Sequence, residues 1–424
     1  MSAVPFREPL SRNAWTRMAG EAAPPLLALW ADSREVYALL RAESGPKLVS
    51  TEVEDGGYRA LSPMRPDAAW FERMIQDLWG FTAIDGIDQR PLLDHGRWAC
   101  SAPMATPPGA PVSPEPPEFA MPHDLDQLPI GPVTGGTGPA AHLRFGVRGE
   151  TIERLEMRLG YSHRGTLALM RGKSPRAAAR FAARLAGEAT VAHSLAFARA
   201  TEAALECEIT PRALSLREVM AALERMVGHL NALAAIAEAA GRDAVAAHFA
   251  WQGEEMHRTA DVAFGHRLMM DCVIPGGLAA DITPQGVVAC VQALSSVTEE
   301  LPHLRRLVKI LPEIRIPGRE PGARLGAIEA EISQANVFLC SLPDGAIAAP
   351  LSAASGEGIG GANGPAGEVW HWLRLDHGQI ASVFICDAAW SSWQLLPTAA
   401  IGAEVDDLAL MQACLRLSSS GVDL

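Results

Sequence analysis

From Ser101 to Pro132 the chain places ten prolines in thirty-two residues. Proline fixes φ and removes a backbone donor, so this stretch cannot run as a helix or a central strand, and its composition favours extended polyproline geometry. It therefore divides the chain. The division gives an α+β protein: a small mixed α/β domain over residues 1–100, a Pro-rich linker over 101–128, and a mainly helical domain over 129–424. The helical domain opens with a hairpin and closes with a β-containing section. A length of 424 residues leaves room for about two or three domains and a sizeable core.

Local patterns fill in this outline. Before the linker, β-like runs lie around Val36 to Arg41 and Lys47 to Glu54, and a helix is predicted from about Asp67 to Trp79. After it, HLRFGVRGETIERLEMRLG, from His142, reads as the hairpin. The spacing of Leu216, Val219, Met220, Leu223, Val227 and Leu230 predicts an amphipathic helix from Ser215 to about Ala240, with Ser215 and Glu218 as a capping box. Six glycines between Gly356 and Gly367 precede a β-like run, EVWHWLRLDHGQIASVFICD. Gly356, Gly358 and Gly361 have the spacing G-x-G-x-x-G. No apolar strand leads in and no helix follows, so a nucleotide-binding turn is not expected there.

Charge and cysteine usage narrow the function classes. With 36 basic and 49 acidic residues the net charge is -13, which argues against a nucleic acid partner. No run of about 18 uncharged apolar residues suggests a direct membrane span, and the N-terminal MSAVPFREPLSRNAW lacks an apolar signal core. A cytoplasmic chain, peripheral on the inner face of the cell membrane through partners, is the expectation. The seven cysteines form no C-x-x-C pair, so neither a disulfide framework nor a thiolate metal site is indicated. Glu254 and His257 form an E-x-x-H; a di-iron bundle needs two such motifs and two further carboxylates, and the other one, Glu368 to His371, lies in a β-like run.

Four segments carry a family resemblance. Arg184 to Glu202 reads RLAGEATVAHSLAFARATE; residues 129 to 170 read PIGPVTGGTGPAAHLRFGVRGETIERLEMRLGYSHRGTLALM; Phe264 to Gly277 reads FGHRLMMDCVIPGG; and WFERMIQDLWGF, from Trp70, is followed by RPLLDHGRW. The first three resemble the large subunit of the membrane-bound, energy-converting group 4 nickel-iron hydrogenases and the homologous quinone-site subunit of complex I. The last is similar to the complex I accessory subunit, which some relatives carry fused to the large one.

The resemblance sets expectations at named residues. The family holds its nickel and iron through R-x-C-G-x-C and D-P-C-x-x-C, thiolates being the soft donors such metals need. Here those four ligand positions are Ala186, Ala189, Ala389 and Ser392, so no metal site and no hydrogenase activity are expected from this chain. Cys386, one residue before the motif's Asp387, cannot replace four ligands. In complex I the cavity takes a quinone headgroup between a histidine and a tyrosine. His142 falls on the histidine motif, as a tentative catalytic and headgroup-binding residue, while Gly187 stands at the tyrosine position. His163 and Arg164, in GYSHRG, fall on a motif facing a partner's iron-sulfur cluster. His266, Arg267 and Asp271 are read as fixing a helix end and loop.

Ala186, Gly187, Ala189, Ala366 and Ala389 are all small, which predicts an open pocket between the 184–202 segment and the C-terminal section. The implied function is a subunit of a membrane-associated, energy-converting, hydrogenase-related oxidoreductase complex. It would lack a nickel-iron centre and take a quinone or another small electron acceptor in the vestigial cavity. Its implied partners are an iron-sulfur small subunit and antiporter-like membrane subunits. The alternative is a non-catalytic scaffold or coupling subunit joining those partners.

Overall fold

The computed structural model describes residues 7–18, 20, 24–114, 116, 118–135, 138–314 and 316–424. The chain falls into two compact units. Unit 1 comprises residues 1–146, 156–169 and 423–424, and unit 2 comprises 147–155 and 170–422.

Unit 1 opens with β1 (Glu8–Pro9), α1 (Arg12–Met18), β2 (Leu26–Ala31), β3 (Glu35–Ala42) and β4 (Gly45–Glu52). The sheet order is β1-β4-β3-β2, antiparallel except for β1, which pairs in parallel with β4. The two predicted β runs are thus central strands. β2, LLALWA, joins them although leucine and alanine favour helix, because its last four residues are buried beside β3. β5 (Gly57–Arg59) pairs in parallel with β6 (Thr82–Ile84). Between them α2 (Ala69–Trp79) buries Phe71, Met74, Ile75 and Leu78, and Gly80 ends it in the left-handed region at φ 74°. The predicted Asp67 start is a 3-10 turn over Pro66–Ala68.

The described part of the Pro-rich segment contains no helix before β7 (Asp126–Ile130). β7 holds Pro129 at a sheet edge, in the order β7-β8-β9 with the predicted hairpin of β8 (His142–Arg148) and β9 (Thr151–Arg158). An edge is where a strand tolerates a residue without a donor. The segment is also held by side chains: the Phe119 ring lies 4.6 Å from the Arg144 guanidinium and 5.0 Å from that of Arg158, and Ala120 N–H donates to Glu156 at 3.0 Å.

Unit 2 is mainly helical. α3 (Thr166–Met170), at the junction of the two units in sequence, and α4 (Pro175–Ala182) lead to α5 (Thr190–Ala204), α6 (Pro211–Ala239) and α7 (Asp243–Phe264). The short β10 (Val273–Ile274) and β11 (Gly277–Leu278) precede α8 (Pro284–Val308) and α9 (Pro321–Cys340). An antiparallel sheet follows, β12 (Gly356–Gly364), β13 (Gly367–Asp376) and β14 (Gln379–Cys386), then α10 (Ala389–Ala400) and α11 (Leu408–Leu415). α6 starts a turn earlier than its apolar spacing predicts. Thr210 caps it by accepting from Ala213 N–H, and Pro211 at the first position costs nothing because that N–H would be unpaired. Ser215 and Glu218 therefore lie inside the helix. α6 is long and apolar enough to cross a bilayer, yet 72% of its most apolar window is buried within the protein, the pattern of a core helix packed against α7 and α9.

The glycines before the β-like run form a strand, β12, against composition. Their reason is helix approach. A Cβ at Gly356, Gly358 or Gly360 would lie 1.9, 2.1 or 2.4 Å from the carbonyl oxygens of Ala204, Ala200 or Ala196 on α5. Every second position of β12 faces this helix, and the helix meets it with alanine at each turn. Gly358→Ala should therefore destabilise the protein by about 3 kcal/mol, the upper range for overpacking, read as the shift of a urea midpoint. An unchanged midpoint would show that α5 is not seated on this strand.

Candidate functional site

Just before α5 the chain runs as a loop from Arg184 to Ala189, the segment carrying Ala186 and Ala189. Ala189 supplies no side-chain cap for α5. Instead the buried Glu224 carboxyl group, on α6, accepts from Val191 N–H at 2.5 Å and Ala192 N–H at 2.9 Å. Arg184 holds the other end of the loop, with a two-armed ion pair to Asp271 at 2.6 and 2.7 Å.

Between this loop and the C-terminal section lies a cavity of about 320 Å³. Ala186, Gly187, Ala189, Ala366 and Ala389 all line it, as their small size predicts. Its polar wall includes Asp387, Glu188 and Arg416, the last two paired with each other. The volume is at the lower end for small-molecule sites and suits a headgroup-sized ligand. The donor set does not fit a nickel-iron centre. No cysteine lines the cavity, Ser392 is buried outside its lining, and Cys386 is a buried thiol pushed far up by burial and Asp387.

Behind Asp387 stands a buried polar chain that motif spacing alone did not single out. His193, one turn into α5, places Nε2 2.7 Å from Asp387 Oδ2 and Nδ1 3.0 Å from Nε2 of His371 on β13. Both histidines are fully buried. Asp387 Oδ1 also accepts from Ala389 N–H at 2.6 Å. Burial alone would raise the Asp387 carboxyl; the hydrogen bond and charge of His193 and the Ala389 N–H outweigh it and hold the group below the usual carboxylate range. Burial, then His193, holds His371 well below the ordinary histidine range. The signals were present in the sequence. His193 follows Ala189 by four residues, and His371 interrupts the apolar alternation of Val369, Leu373 and Leu375 on the inward face of β13.

The remaining predicted residues are distributed as follows. Gly187 lines the cavity, whereas His142 is on β8 in unit 1. The His142 ring meets Phe119 edge-on at 4.7 Å, and burial, then Arg144 and Arg158, lower its pKa. His163 stacks on Trp98 at 4.3 Å, and its Nδ1 contacts the carbonyl of Asp423. The Arg164 N–H donates to Leu424 O at 3.1 Å. His266 Nδ1 accepts from Leu268 and Met270 N–H, Arg267 pairs with Glu254, and Asp271 with Arg184, so all three fix the end of α7 and its loop. His257 Nδ1 contacts Arg267 O, leaving Glu254 and His257 in structural roles. Trp372, Trp390 and Trp393 are core residues.

Comparison with known proteins agrees with this architecture. Residues 164–234 match the nickel-dependent hydrogenase family. The chain is 24% identical to formate hydrogenlyase subunit 5 of Escherichia coli over 318 residues, covering 70% of this chain and 55% of that one. It is 26% identical to hydrogenase-4 component G of the same organism over 316 residues, 70% and 56% of the two chains. An NADH-quinone oxidoreductase subunit from Anaplasma marginale is 31% identical over 185 residues, 41% of this chain and 45% of that one. The chain thus spans about half the length of these curated relatives. Among solved structures, the archaeal membrane-bound sulfane sulfur reductase, a respiratory membrane complex, contains a chain that matches with a TM-score of 0.63 at 14% identity, covering 72% of this chain and 100% of that one. At that identity the likeness is one of fold.

Two outcomes test this geometry. Burial raises the Glu224 pKa from 4.5 to about 8 despite the two N–H groups that lower it. The folded chain then keeps a proton that the unfolded chain loses, so this residue's contribution to stability is present below pH 4.5 and is lost as pH rises toward 8. Glu224→Gln should flatten the melting temperature against pH between those values relative to the parent. A Cβ at Gly187 meets no atom within 4 Å. Gly187→Tyr, which introduces a phenol at this open position, should fold with a melting temperature within about 3 °C of the parent.

Proposed function

We propose, from the premise that the chain carries a nickel-dependent hydrogenase family domain, that it serves as the large subunit of a membrane-associated, energy-converting oxidoreductase complex without a nickel-iron centre. In this reading the cavity at the old metal position takes a quinone or another small electron acceptor. The single observation that carries it is the open cavity of about 320 Å³ walled by alanines at three of the four ligand positions. A space that only sealed a scaffold would gain stability by filling with larger apolar side chains, since voids cost contact energy. Leaving it open favours a ligand over the scaffold reading.

The relatives supply the setting. Formate hydrogenlyase and hydrogenase-4 subunits, a quinone oxidoreductase subunit and a respiratory membrane complex all match this chain. In the proposed assembly electrons arrive from an iron-sulfur small subunit, with His163 and Arg164 on the side that faces it, and antiporter-like membrane subunits anchor the chain to the inner face of the cell membrane. His142 enters this reading on its motif alone.

The test is isolation of the protein from gently solubilised native membranes, followed by mass spectrometry of what accompanies it. The expected result is recovery with an iron-sulfur small subunit and antiporter-like membrane proteins, and no nickel above background by metal analysis. Recovery of the chain alone or with unrelated soluble proteins would overturn the assignment. Recovery of the complex with a cavity that binds no acceptor would favour the scaffold role.

A further inference from the structure

We propose that His248 on α7, with Glu300 and His303 on α8, forms a site for a divalent transition cation of the zinc type, a clip that closes the open end of the α7–α8 hairpin. Among the described residues these three side chains bring one ligand atom each within 4.8 Å of one another. None of the three lines the cavity at the family's ligand positions.

The helices bring the three residues together in a simple way. Glu300 and His303 are three residues apart near the end of α8 and so share a face. His248 lies near the start of α7, and α7 and α8 pack on each other. Residues 265–283 connect the opposite ends of the two helices, so these side chains meet where no chain joins them. Buried neighbours fix both turns: Val245 and Phe249 around His248, and Leu301 and Leu304 around the α8 pair. The half-buried ligands thus stand at the edge of packed faces, on backbone that the core holds still.

Their spacing suits an ion. His248 Nε2 and Glu300 Oε2 are 3.8 Å apart, too far for a hydrogen bond, and Nε2 is a buried atom with no hydrogen-bond partner. The His248 and His303 rings are inclined at 81° with centroids 5.0 Å apart. A tetrahedral ion with bonds of about 2.0–2.1 Å separates its ligand atoms by about 3.4 Å and sets two imidazole centroids about 5 Å apart. The ring spacing already agrees, and small side-chain rotations within one rotamer well close the gap to the carboxylate. A plain ion pair would need a charged His248, whereas burial, then His303, lower its pKa against the opposing pull of Glu300. A neutral ring points Nε2–H at an oxygen beyond reach, or turns its lone pair on the carboxylate. A cation between them takes the lone pair and the carboxylate together.

The donor set names the class. Two imidazoles and one carboxylate suit zinc and its first-row neighbours, while calcium and magnesium want a shell of oxygens. Three protein ligands leave the fourth position to water. The opposing charge is Arg306, whose Nη2 lies 3.5 Å from His303 Nδ1. A neutral imidazole has a single lone pair, so a metal on either nitrogen of His303 displaces this contact, and the exposed Arg306 turns outward.

The test uses the full untagged chain, stripped of metal by a chelator and titrated with Co2+ and then Zn2+. Calorimetry should give one ion per chain, the visible bands of bound cobalt should saturate at the same ratio, and Zn2+ but not Mg2+ or Ca2+ should displace them. His248→Ala and His303→Ala should each weaken binding about a hundredfold or more, since losing a ligand costs at least what losing an outer partner does. Zn2+ should raise the melting temperature of the parent and leave that of His248→Ala unmoved, with the two metal-free values confirming that the variant folds. The Trp251 ring lies 5.9 Å from that of His248. Trp251→Phe should therefore keep the cobalt bands and lose most of the fluorescence that bound Co2+ quenches. A parent that binds no cobalt, binding undiminished by His248→Ala, or quenching indifferent to Trp251→Phe overturns the site. Displacement by Mg2+ as readily as by Zn2+ overturns the zinc-type assignment. Any of these failures leaves the cavity reading standing, because the substituted residues form none of its walls.

Discussion

The approach of α5 to β12 is the contact on which the site depends. Backbone meets backbone there because glycine alternates on the strand and alanine recurs on the helix, so the separation is set by main-chain atoms and not by side-chain size. That closeness brings His193 within 3.0 Å of His371 on the next strand and 2.7 Å of Asp387 beyond β14. A larger residue at any of the three glycines would push the helix outward and break both contacts.

Two buried carboxyl side chains, Glu202 and Glu224, complete the frame. Glu202 near the end of α5 pairs with Arg217 of α6 at 2.6 Å and accepts from Gly276 N–H, while Arg217 also donates to Ile274 and Gly277 carbonyls. One pair thus joins two helices and the β10–β11 turn. At the other end of the helix, Glu224 of α6 accepts the first free N–H groups. Such buried polar groups are expensive unless every partner is met, and here they are met by the Arg217 guanidinium and by the N–H groups of Val191, Ala192 and Gly276. The helix is therefore fixed in register as well as in distance.

Much of this was legible in the sequence, and the parts that were not have physical reasons. The small residues at the ligand positions gave the cavity correctly, because volume is a property read directly from residue type. The hairpin, the two central strands and the helix ending at Trp79 follow from pattern. β12 was hidden because glycine carries no strand preference, and its role depends on a helix some 150 residues away. The start of α6 was masked by Ser215 and Glu218, which have the form of a cap but lie inside a helix already capped by Thr210 and Pro211. His371 was discounted for lying in a β-like run, although that run is what turns it inward toward His193. Its partners are set by tertiary pairing, and no local window contains both histidines.

Unit 1 is discontinuous, and this has a consequence for how it assembles. Asp423 accepts from Gly160 and Ser162 N–H, the latter 261 residues away in sequence, and Leu424 O takes the N–H groups of Arg164 and Thr166. These contacts form only when the distant segment has returned to the turn. The entropy of closing so long a loop is met late, after shorter-range contacts can form. During translation the 160–166 turn therefore waits, hydrated and exposed to proteases, while the intervening helices emerge. Closure of unit 1 is therefore contingent on residues 423–424 docking on the 160–166 turn, and slowed amide exchange at that turn reports the docking.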